Sequence, residues 1–131
     1  MKKKIILSSL VLCFALSTSA FAASKDTDTQ KIKGFDFTGK LSTSNPVYSN
    51  AYAGASTTAT LQCYEVKATV KVTNTDGTTN SRTATENNTF KAETGDQYAN
   101  SYWTKGVHFD GSHEASDSKF GYYFGSTYNY Y

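Results

Sequence analysis

Apolar and polar residues alternate along much of this chain, and clusters of Gly, Asn, Asp, Ser and Pro interrupt the alternation. Side chains on a strand point to opposite faces in turn, so a period of two predicts strands. Phe35 and Phe37 bracket Asp36 between Gly34 and Gly39, a short strand signal. Ser42, Thr43, Ser44, Asn45 and Pro46 then read as a loop holding the only proline. The clearest strand region is 57–73. Ala59, Leu61 and Cys63 share one parity there, and Tyr64, Val66, Ala68, Val70 and Val72 the other. The apolar face therefore changes side between Cys63 and Tyr64, which a straight strand buried on one face cannot do. A bulge or bend near 62–65, or passage from one sheet into a second, restores the register.

Asn74, Thr75, Asp76 and Gly77 put Asp-Gly at the centre of a hairpin turn. The returning segment 78–86 is almost wholly polar, as expected of an edge strand, and Asn87-Asn88 breaks it. Phe90 and Ala92 begin another strand, which ends at Gly95-Asp96. Val107 and Phe109 alternate again, and Asp110-Gly111 opens an expected polar loop running to Ser118. In the last segment Phe120, Tyr122, Phe124, Tyr128 and Tyr130 share one parity. The other parity holds Gly121, Tyr123, Gly125, Thr127, Asn129 and Tyr131. About six or seven strands separated by turns predict an all-β fold, a small antiparallel β-sandwich, with a small β-barrel as the alternative.

The beginning of the chain is of another kind. Lys2, Lys3 and Lys4 precede an apolar run from Ile5 to Leu16, and Ala20-Phe21-Ala22 follows. That is the layout of a secretory signal peptide over residues 1–22, cleaved after Ala22. The apolar run is too short to span a bilayer, which needs about 20 residues. Cys13 lies inside it, away from the cleavage position, so a lipoprotein is not expected, and no transmembrane segment is expected after cleavage. Residues 23–33 are polar and charged and read as a flexible N-terminal segment, leaving 34–131 as a single β domain.

Removal of residues 1–22 leaves 109 of the 131 residues and changes the charge. Without Lys2, Lys3 and Lys4 the 13 basic residues become 10, against 11 acidic ones. No basic stripe remains for phosphate backbones, which excludes a nucleic-acid partner. Cys63 is the only cysteine of the exported part, so no internal disulfide forms, and burial of the thiol is expected. Large aliphatic side chains are scarce: Ile32, Leu41, Val47, Leu61, Val66, Val70, Val72 and Val107. Tyr, Phe and Trp103 outnumber them about two to one, so aromatic rings supply most of the buried area.

Candidate chemistry is sparse. His108, Asp110 and His113 form the one ionisable cluster with weak metal-ligand character, two imidazoles and a carboxylate. The plain reading is a turn of solvated polar residues, with no cofactor. Cys63 lies mid-strand among apolar neighbours, where a thiol is inert. No nucleophile or carboxylate pair stands out, so no enzyme is expected. The aromatic parity of the last strand has three readings. The simplest places it in the core. The second exposes part of the ladder, making Tyr102, Trp103, Tyr128 and Tyr130 candidates for stacking on sugar or peptide. The third, a closing strand of an outer-membrane barrel, fails on length.

The layout as a whole resembles the lactococcin-972-like bacteriocins. The resembling residues are Tyr48-Ser49-Asn50 with Gly54 and the Thr/Ala run after it, and Ala68-Thr69-Val70 leading through Asn74 to Gly77. Trp103-Thr104-Lys105 and Phe120-Gly121-Tyr122-Tyr123-Phe124 complete the set. The chain departs from that family in its length, in carrying Cys63 and in having few histidines. The resemblance implies a secreted, non-enzymatic antibacterial β-sandwich protein that engages a cell-envelope component such as the cell-wall precursor lipid II. The alternative is a secreted carbohydrate- or protein-binding surface module without killing activity.

Overall fold

The computed structural model describes residues 21–101 and 106–131, and these form an all-β, antiparallel structure nearly closed into a barrel. The strands are β1 (Phe21–Ile32), β2 (Phe35–Pro46), β3 (Tyr52–Thr73), β4 (Thr79–Glu93), β5 (Gln97–Tyr98), β6 (His108–Asp117) and β7 (Gly121–Tyr130). The signal-peptide reading concerns residues 1–22, of which 1–20 lie outside the described residues.

β3 organises the rest. Its residues 65–73 pair with β6 on one edge and with β4 on the other. Its first half pairs with β2 on the edge that β6 later takes, and with β5 and the end of β4 opposite. The β1–β2 and β6–β7 hairpins thus leave the same edge of β3 one after the other and fold over to face each other. The change occurs where the parity argument requires it. Ala53, Ala55, Thr57, Leu61 and Cys63 are buried, then Val66, Ala68, Val70 and Val72, with Tyr64 turned outward between the sets. The register with β4 shifts between Thr58 and Cys63 at the same place. The expected bend is therefore also the passage between the two halves of the fold.

Several boundaries differ from the sequence reading. Residues 42–46 continue β2, because Thr43 turns inward while Ser42 and Ser44 lie over β3. Asn88 does not end β4. It takes a left-handed backbone (φ 53°), and the strand runs on to Glu93. β4 is exposed nearly throughout and, apart from a brush with β5, borders only β3, as a polar edge strand should. The expected Asn74–Gly77 turn is present: Gly77 N–H donates to the Asn74 carbonyl at 2.9 Å, with Gly77 at φ 82°.

The largest correction concerns residues 23–33. They are not a loose lead-in but most of β1, paired with β2 along its whole length and turned back through Lys33-Gly34, both with positive φ. Ser24, Asp26, Asp28 and Gln30 alternate with outward Lys25, Thr27, Thr29 and Lys31, and the first set meets β7. No backbone ladder joins β1 to β7. Instead the Asp26 carboxylate accepts from Tyr128 N–H at 2.8 Å, and Asp28 accepts from Ser126 N–H at 3.1 Å. The Gln30 amide donates to the Phe124 carbonyl at 2.9 Å, and the Ser24 hydroxyl donates to Asn129 Oδ1 at 3.2 Å. Polar side chains close the barrel where main-chain groups usually do.

The core lies between the two hairpins. Phe37 sits at its centre, 4.5 Å from the Phe120 ring and stacked on Tyr123 at 5.0 Å. Leu41, Val66, Val70, Val72, Val107 and Phe109 fill the remainder.

Candidate binding face

The register of β3, β6 and β7 decides which aromatic residues are inside. Facing inward are the rows Val66–Ala115–Tyr123, Ala68–His113–Gly125, Val70–Gly111–Thr127 and Val72–Phe109–Asn129. In the first three rows large residues sit beside Ala or Gly, as close packing requires. A Cβ on Gly125 would collide with the Tyr123 hydroxyl, and one on Gly39 or Gly111 with the His113 ring. The interior has no room for a second parity of rings. The aromatic set of β7 is therefore outside, opposite to the simplest sequence reading.

Tyr122, Phe124, Tyr128 and Tyr130 are 56%, 53%, 51% and 60% exposed. Phe120, which shares their parity, lies in the turn before β7 and is buried. From Tyr122 to Tyr130 the strip extends about 27 Å at the usual rise per residue. Its neighbours on the outer face are charged or hydroxylic. Tyr122 lies beside Ser116 and Glu65, Phe124 beside Glu114 and Lys67, Tyr128 beside Asp110 and Lys71, and Tyr130 beside His108 and Thr73. Lys67 pairs with Glu114 at 3.2 Å and Lys71 with Asp110 at 3.6 Å. The His108 ring lies 5.6 Å from that of Tyr128 and 6.3 Å from that of Tyr130. Desolvation, then the hydrogen bond and charge of Glu114 and the charge of Glu65, raises the Tyr122 phenol above its ordinary pKa.

Of the sequence candidates, Tyr128 and Tyr130 stand on this face. Tyr102 and Trp103 lie outside the described residues. His108, Asp110 and His113 are not brought together. Because 110–117 is strand and not loop, His113 has the opposite parity to His108 and Asp110 and points inward, wholly buried. His108 Nε2 is 3.8 Å from Asp110 Oδ2 on the outside. Among the described residues no three His, Cys, Asp or Glu side chains are grouped to hold a metal. Cys63 is free and buried, and burial, followed by the charge of Asp117, pushes its thiol pKa up, away from nucleophilic use.

Sequence reasoning missed Tyr122 and Phe124 as surface rings. The signal was in the opposite parity. Gly125 and Thr127, together with Gly111 on the neighbouring strand and Gly39 across the barrel, mark a crowded interior.

The fold and face together define an aromatic-platform β protein: a nearly closed antiparallel barrel with a strip of rings on one outer strand. Comparison with protein-family models, with curated proteins and with solved structures finds no match to the chain.

Proposed function

We propose that this is an exported, non-enzymatic protein that binds a component of the bacterial cell envelope through the outer face of β7. The observation that carries the reading is the half-exposure of four large rings on one strand. Isolated surface rings are ordinary, but four rings on one face of one strand, in two pairs on either side of Ser126, mark an interaction site. Rings stack on the apolar faces of sugars, and the Tyr hydroxyls with Glu114, Asp110 and His108 beside them supply polar contacts. Export is supported by residues 1–22. Cleavage after Ala22 would remove only the first two of the twelve β1–β2 register pairs, leaving the seam intact.

The resemblance to the lactococcin-972-like bacteriocins supports an antibacterial role, with lipid II or a wall glycan as the envelope component. A surface module that binds carbohydrate or protein without killing draws on the same face. Purified protein applied to a panel of related bacteria separates the two. Growth inhibition with retention on lipid II vesicles is the expected result. Retention on wall glycan without inhibition favours the surface module, and no retention on either contradicts both.

A further inference from the structure

A groove on the other half of the barrel stands apart from the aromatic face. It runs over β2 and the first half of β3 as two adjoining hollows of about 550 and 290 Å³ that share Ser42, Gly54 and Asp96. Gly54 makes the dip. It sits opposite Ser42 in the register, and a Cβ there would come within 3.3 Å of the Gly95 carbonyl and 3.5 Å of Asp96 Oδ1. Tyr52 stands at one end, its ring 5.1 Å from that of Tyr98 on β5. Asp96 is anchored through its carbonyl, which accepts from Arg82 Nη1 at 2.8 Å, so its carboxylate is held at the rim.

Glu93 also lines this groove and is paired with Lys91, whereas the other charges there are placed but unused. Lys25 on β1 and Lys40 on β2 line one side, and Asp96 lies across from them. On the aromatic face the lysines pair with carboxylates in rows, Lys67 with Glu114 and Lys71 with Asp110. Among the described residues, by contrast, neither Lys25 nor Lys40 has an ion-pair partner, and the Asp96 carboxylate has none. Two ammonium groups, an opposed acceptor, a hydroxyl and glycine floor and one ring at the end make a defined complement.

We infer that this groove is a binding site for an acidic oligosaccharide. A sugar carboxylate meets Lys25 and Lys40 as charge-assisted hydrogen bonds. Ring hydroxyls donate to Asp96 and exchange hydrogen bonds with Ser42, and the C–H face of a terminal sugar packs on Tyr52. A neutral saccharide leaves both ammonium groups uncompensated. The site shares no residue with the aromatic face, so it stands whether or not that face binds the envelope.

Calorimetric titration of the purified protein with trigalacturonic acid tests this, with cellotriose as the uncharged trisaccharide and triglutamate as the acidic peptide. Trigalacturonate is expected to bind, more weakly as salt is raised, and Lys25→Gln or Lys40→Gln each to lower its affinity about tenfold. Lys119→Gln, an exposed lysine in the distant β6–β7 turn, is expected to leave affinity unchanged. The inference is overturned by absence of binding at millimolar trigalacturonate, or by equal binding of cellotriose or triglutamate. An equal loss on Lys119→Gln, or no loss on the Lys25 and Lys40 substitutions, overturns it as well.

Discussion

His113 shows how a polar residue is held inside this barrel. Its Nδ1 is 3.1 Å from Thr57 Oγ1, and its Nε2 is 2.8 Å from Thr127 Oγ1. Thr57 already donates its hydroxyl proton to the Lys67 carbonyl at 2.8 Å, so it must accept from Nδ1–H. Burial disfavours the imidazolium, so Nε2 is bare and accepts from Thr127. Desolvation holds its pKa below 6.5, against the opposing charge of Asp28, a hydrogen bond to the Ser56 backbone and the charge of Asp26. The unfolded chain therefore binds a proton that the folded chain refuses. Stability is full above pH 6.5 and falls as pH drops below it, until the folded protein also takes the proton. Urea denaturation between pH 5 and 8 should show this fall, and His113→Gln should flatten it while costing about 1–3 kcal/mol at neutral pH. Tyr123 acts in the other direction: burial first, then the charge of Asp28, pushes its phenol up to about 12, so stability declines as pH rises past 10. Gly39→Ala, which drives a methyl into the His113 ring, should lower stability by about 1–3 kcal/mol in the same assay. His113 was legible in the sequence as a histidine beside an Asp-Gly pair but not as core. Its inward neighbours, Gly111 and Ala115, are too small to give an apolar alternation, and that smallness is what makes room for the imidazole.

At the scale of elements, β1 and β3 teach opposite lessons. The parity change in β3 was readable because Leu61, Cys63, Val66, Val70 and Val72 are apolar enough to mark a face, and the bend falls where they change sides. β1 was not readable, because its inward set is Ser24, Asp26, Asp28 and Gln30, and a polar alternation looks like a polar tail. Its function is to satisfy the β7 main chain. Asp26→Ala with Asp28→Ala removes the acceptors of the Tyr128 and Ser126 amides, and hydrogen bonds to charged groups contribute about 1.5–3 kcal/mol each. Amide hydrogen exchange should quicken at Ser126 and Tyr128 in that variant, while amides of β3 keep their protection until global unfolding. Asn at both positions retains an oxygen acceptor and should lie between the variant and the native chain. The loops expected at 42–46 and 112–118 share the physical reason for β1: short polar residues over a tightly packed partner strand carry no hydrophobic signature, yet their backbones pair.

For the whole molecule, fold class followed from alternation and turn chemistry, while the orientation of β7 depended on a quantity no local pattern carries, the width of the interior. Tyr123, Phe37, Phe109 and His113 fill it, and the remaining rings of β7 are left facing solvent. The proposed function rests on that orientation, and substitution of the exposed rings tests it most directly. Phe124→Ser with Tyr128→Ser should leave the melting temperature within a few degrees of the native protein, since surface substitutions usually change stability by less than about 0.5 kcal/mol. In co-sedimentation with purified bacterial cell walls, the native protein should pellet and the double variant should stay in the supernatant. A double variant that unfolds would place these rings in the core, and a folded one that still pellets would show that the aromatic face is not the binding surface.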